Sequence, residues 1–104
     1  MASRTFKIDR FKVFTNLSDL GLSSGTTPLA IANALPNHSM YIGEANDIDS
    51  PPISWGVLEV TRGTNASRWY AKLYSQNVSH DQYREYACAG TYQASTTWKT
   101  LFNN

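Results

Sequence analysis

The stretch Trp55 to Tyr74, WGVLEVTRGTNASRWYAKLY, constrains the fold more than any other, because two long strand-like runs there face each other across one polar turn. The first run, Gly56-Val57-Leu58-Glu59-Val60, is β-branched and apolar apart from Glu59. The second, Arg68 to Tyr74, alternates strictly in character. Successive side chains on a strand lie on opposite faces, so Trp69, Ala71 and Leu73 point one way and Arg68, Tyr70, Lys72 and Tyr74 the other. Between the runs, Arg62 to Ser67 supplies a Gly and an Asn that tolerate positive φ. The pattern predicts a β-hairpin with a loop longer than a two-residue turn.

The rest of the chain fits around that hairpin. Apolar residues at Phe6, Ile8, Phe11, Val13 and Phe14 predict an extended segment, and Met1 to Thr5 before it read as an appended start. Thr15 to Leu22 reads as a short turn or a single helical turn stopped by Gly21, followed by the loop Ser23 to Thr26. Thr27-Pro28 then opens a short helix: Thr27 caps the free amides, Pro28 suits the first position, and Pro36 forbids continuation beyond Leu35. Met40 to Gly43 predicts a strand, Glu44 to Pro52 and Ser75 to Gln82 polar loops, Tyr83 to Cys88 a strand, Gly90 to Thr97 a turn, and Trp98 to Phe102 the closing segment. The expected fold is mainly β, an antiparallel sheet or sandwich with one short helix in the amino-terminal half.

At 104 residues the chain is long enough for one domain that buries roughly 65% of its unfolded surface. Nine basic against eight acidic residues leave a net charge of +1 with no block of like charge, which argues against nucleic acid as a partner. No apolar run reaches the roughly 18 residues of a membrane helix, so membrane insertion is not expected. The single cysteine, Cys88, lies among small residues and reads as a buried hydrophobe. Asn-x-Ser tripeptides at Asn16, Asn37, Asn65 and Asn77 read as turn chemistry, because no signal pattern accompanies them.

Catalytic groups are sparse. His38 and His80 both fall in expected loops, and adjacency of His80 and Asp81 does not make a relay, since neighbouring side chains on an extended chain diverge. Glu44, Asn46, Asp47 and Asp49 offer oxygen ligands but not the EF-hand spacing, so neither an enzyme nor a metal or other cofactor is expected. Aromatic residues are the informative class, at 12% of the chain. Tyr70 and Tyr74 share a face with Arg68 and Lys72, with Arg62 at the neighbouring turn, a mixture of flat rings and donors suited to a sugar or a partner chain. These five are the candidate ligand-binding residues; the alternatives are that a second layer or a neighbouring subunit covers the face, or that Asp47, Asp49 and His80 bind from loops.

The order of these pieces resembles the pyocin-knob type of domain at the distal ends of phage tail fibres, tailspikes and R-type pyocin fibres. The residues that carry it are Phe14 to Leu22 (FTNLSDLGL), Ile31 to Pro36 (IANALP), Gly56 to Val60 after the double proline, and Trp98 to Leu101. The chain departs from that pattern at Tyr86-Ala87-Cys88, which lacks an Arg, and at Ser95, which stands where a Trp is common. The resemblance implies a homotrimeric, extracellular fibre tip on a virion that recognises a saccharide or protein of a bacterial surface. A module that caps or registers a fibre trimer without touching the host is the alternative, with the aromatic surface consumed at subunit contacts.

Overall fold

The computed structural model describes residues 11–104, so the expected strand residues Phe6 to Arg10 lie outside it. Six strands, Lys12–Phe14 (β1), Ser39–Glu44 (β2), Val57–Arg62 (β3), Trp69–Asn77 (β4), Gln82–Gly90 (β5) and Lys99–Asn103 (β6), form one sheet in the order of the chain. All neighbours are antiparallel except β1 and β2. A parallel pair cannot be joined by a tight turn, and the crossover here carries the helix Pro28–Ala34 (α1) onto one face of the sheet. Of sheet and sandwich, the chain forms the sheet; its second layer is helix and loop.

Local chemistry sets the helix ends. Thr27 Oγ1 accepts from the Ala30 amide at 3.1 Å, and Pro28 occupies the first turn, where its missing N–H has no partner to lose. Ile31, Ala32 and Leu35 are buried against Leu58, Val60, Trp69, Ala71 and Leu73. Tyr41, Cys88 and the loop residues Leu17, Ala45 and Ile48 complete this core. The hairpin arms are the two central strands, and Trp69, Ala71 and Leu73 face the core while Tyr70 is 44% exposed, in the alternation that the sequence predicts.

The polar run Ser75 to Gln82 is not the expected loop. β4 continues to Asn77 and β5 begins at Gln82, with Asn77 paired to Gln82 across a 3-10 turn at Val78–His80. Ladder hydrogen bonds join backbone groups whatever the side chains, so a polar sequence does not end a strand that has a partner. Gly56, just before β3, has no room for a side chain: its φ is +143°, and a Cβ there would run into the Tyr74 carbonyl. Among the described residues no helix is long and apolar enough to cross a membrane.

Candidate functional site

Register and connectivity gather three loops at one end of the sheet. Ser39, Arg62, Trp69 and Gly90 lie side by side across β2 to β5, so the segment before β2, the β3–β4 loop and the segment after β5 all emerge together. Hydrogen bonds tie them to one another. The His38 amide donates to the Gly63 carbonyl at 2.9 Å, the Asn33 side-chain amide to the Tyr92 carbonyl at 2.8 Å, and the Trp69 indole N–H to the Thr91 carbonyl at 2.8 Å. Gly90 has no side chain where the Trp69 ring passes, and a Cβ there would meet both that ring and the Ala94 carbonyl.

Arg62 is the strongest of these ties. Its Nη1 donates to the Leu35 carbonyl at 2.6 Å and to the Ala32 and Asn33 carbonyls at 3.3 Å, which would otherwise be orphaned at the end of α1. Its Nε and Nη2 grip Asn37 Oδ1 at 3.1 and 2.8 Å. The guanidinium of Arg62 is therefore engaged in holding the helix to the hairpin, and it belongs to β3 rather than to the turn.

Two shallow hollows flank the β3–β4 loop. One, of about 510 Å³, is lined by Thr61, Ser67, Arg68, Tyr70 and Ala89. Tyr70 stands between the small neighbours Thr61 and Ala89 in the sheet register, so neither adjacent strand places a large side chain directly against its ring. The other hollow, of about 550 Å³, is lined by Asn33, Arg62, Asn65, Ser67 and Tyr92, with Tyr92 55% exposed. Within it Asn65 Oδ1 accepts from both the amide and the hydroxyl of Ser67, fixing the loop as an Asx turn.

The structure thus brings Arg62, Arg68 and Tyr70 to the hairpin end and leaves Lys72 and Tyr74 further along the open face. Lys72 Nζ lies 3.9 Å from Glu85 Oε1 and 5.7 Å from the centre of the Tyr70 ring. The Tyr74 phenol is pushed up to about 12 by burial, then by the carboxylates of Glu59 and Glu85 and by Tyr83 and Tyr70. Burial and Glu85 also raise the Tyr83 phenol. The sequence reading did not single out Asn33, Ser67 or Tyr92; the aromatic Tyr92 inside a Thr- and Ser-rich run was the available signal.

The rival loop residues lie elsewhere. Glu44 pairs with Val57, and His80 and Asp81 close the β4–β5 turn, so Asp47, Asp49 and His80 sit at the opposite end of the sheet from Arg68. Asp47 Oδ2 accepts from the Tyr41 hydroxyl at 2.6 Å and the Glu44 amide at 2.8 Å, closing a capping box over Ala45–Asp47. The Tyr41 phenol is raised by burial and by that bond to Asp47. His38 lies at the hairpin end and His80 in the β4–β5 turn at the other, and burial pushes the Cys88 thiol up against the smaller lowering effect of a hydrogen bond from Ser95. Comparison with known protein families, with curated proteins and with solved structures finds no match.

Proposed function

We propose that the chain is a non-enzymatic receptor-binding domain, the tip of a phage tail fibre or tailspike, and that its hairpin end meets a saccharide or protein of the bacterial surface. What supports this reading is one observation: three loops cross-tied by hydrogen bonds hold Tyr70, Arg68 and Tyr92 outward on a rigid frame. Rings fixed in this way lie against the apolar face of a sugar at little entropic cost, and an exposed guanidinium donates to hydroxyls or acidic groups beside them. The homotrimer and the extracellular place on a virion come from the resemblance and belong to the same proposal.

The alternative, a module that registers a fibre without receptor contact, draws on the aromatic open face of the sheet. Adsorption to host cells separates the two. Tyr70→Ala and Tyr92→Ala variants that keep the wild-type melting temperature are expected to lose adsorption at least about tenfold, the effect of one stacked ring repeated over several copies. Unchanged adsorption in both would reject the hairpin end as the receptor site.

A further inference from the structure

The charges of the described residues are sorted along the strands. Across the sheet, Glu59, Lys72, Ala87 and Lys99 form one register row beyond Tyr70. Lys12, Arg62, Arg68, Lys72 and Lys99 lie on that row or toward the hairpin end, together with His38, whereas Glu59 is the one described acid that does. Glu44 and Glu85 stand a row further away, Asp47, Asp49 and Asp81 lie at the far end, and Asp19 follows the far end of β1. A chain with a net charge of only +1 thus sets a positive end against a negative one.

Most of these bases are already committed or lie apart. Arg62 grips α1 and Asn37, and Lys72 pairs with Glu85 at 3.9 Å, the only ion pair among the described residues. Lys12 stands on β1, three strands from β4, and Lys99 on β6, two strands away. Arg68 is different. It is exposed, its side chain has no hydrogen-bond or ion-pair partner among the described residues, and it lines the hollow of about 510 Å³ that holds Tyr70. Two residues apart in the alternation, Arg68 and Tyr70 share a face at roughly 7 Å along the strand, close to the length of one sugar unit with its carboxylate. Thr61 and Ser67 add hydroxyls to the same hollow.

A ring beside an unpaired guanidinium, with hydroxyls around it and no carboxylate in the hollow, lacks one partner: an anion on the ligand. We propose that the saccharide met by the hairpin end is acidic, its ring stacked on Tyr70 and a sugar carboxylate held in the fork of Arg68. Charge favours a carboxylate over a phosphate. One uncommitted cation matches a single negative charge, and its planar fork takes both carboxylate oxygens at once. A phosphate monoester carries close to two charges and calls for a cluster of bases. The other bases of this end, outside the hollow, steer an acidic polymer toward it. The inference rests on the hairpin end being the receptor site; it keeps Tyr70 outward and applies alike to each copy of the proposed trimer.

Binding to polysaccharide extracted from host cells tests it, with the material untreated, with its carboxyl groups reduced to alcohols, or with its phosphates removed. Carboxyl reduction should weaken binding at least about tenfold, the worth of one charge-assisted pair, and phosphate removal should leave it unchanged. Arg68→Ala, at wild-type melting temperature, should lose as much on untreated material and nothing further on reduced material; Arg68→Lys should recover only part. Lys12→Ala, which removes the same charge outside the hollow, should change binding by less than about twofold. Binding that survives carboxyl reduction, falls only on phosphate removal, or falls equally in Lys12→Ala would overturn the carboxylate contact. No binding to untreated polysaccharide, with adsorption to cells lost on protease treatment, would overturn it by giving the site to a protein. The two readings fail separately. Adsorption lost in Tyr70→Ala but kept in Arg68→Ala removes the acidic ligand alone, and adsorption kept in both removes the hairpin end itself.

Discussion

The two faces of the sheet are built from alternate residues of the same strands and yet are held by different physics. On the α1 face Leu58, Val60, Ala71 and Leu73 are fully buried, Trp69 nearly so, and even the tie at the edge, Arg62, spends its charge on backbone carbonyls. On the open face the rings of Tyr70 and Phe102 remain 44% and 47% exposed, and the closest ion pair, Lys72 with Glu85, spans 3.9 Å. One face therefore carries the stability of the single chain, and the other holds apolar surface in reserve. The contrast teaches that exposure here is not a failure of patterning, since β4 keeps its alternation over its whole length.

The largest test of this contrast is a pair of neighbours. Trp69→Ala should cost about 3–5 kcal/mol in urea unfolding, for a buried aromatic, its cavity and the orphaned Thr91 carbonyl. Tyr70→Ala and Lys72→Ala should each stay within about 0.5 kcal/mol for the dilute protein, as surface changes do. Similar losses on both faces would break the comparison.

A smaller effect sharpens it at the edge of the core. Arg62→Ala should cost about 2–3 kcal/mol, because it removes charge-assisted hydrogen bonds to the end of α1 and to Asn37. Arg62→Lys should recover little, since one ammonium cannot reproduce the planar fork. Exchange of the amide protons of α1 reads this directly: protection there should fall before protection in β3 and β4. Full protection of α1 in Arg62→Ala would show that apolar contact alone holds the helix.

The smallest effect appears only at alkaline pH. The folded chain holds the Tyr74 phenol at about 12 against an ordinary value of 10.0, so it keeps a proton that the unfolded chain releases. Stability is therefore fully present below about pH 10 and falls as pH rises from 10 toward 12. Tyr41, raised on the covered face, acts in the same direction. Tyr74→Phe and Tyr41→Phe should each flatten part of that decline, with Tyr74→Phe close to neutral at pH 7. A decline unchanged in Tyr74→Phe would place the open-face phenol in ordinary solvent.

Much of the fold was legible in the sequence. Strict alternation from Arg68 to Tyr74 assigned both faces of the central strand, and Thr27, Pro28 and Pro36 bracketed the helix to within a residue of its end at Ala34. These are local signals, set by side-chain periodicity and by what a backbone can do at proline. The same logic failed from Ser75 to Gln82, where polarity reads as loop but a backbone ladder with β5 makes strand. The candidate site divided likewise. Tyr70 and Arg68 follow from alternation and do share a hollow, whereas Arg62, drawn into the same set by its place near the turn, is occupied by α1.

What the sequence alone determined was thus the period of each element, the facing of β4 and the limits of α1. Tertiary structure decided which loops meet. Tyr92, Asn33 and Ser67 lie far apart along the chain, and only the register of β2 to β5 sets them around one hollow. It also decided that, among the described residues, one face of the sheet stays open, because α1 arrives as the crossover of a parallel pair, β1 and β2, and a single short helix can cover only one side. Periodicity is a property of neighbours in the chain. Coverage and convergence are properties of elements brought together in space, and no residue's local preference encodes them.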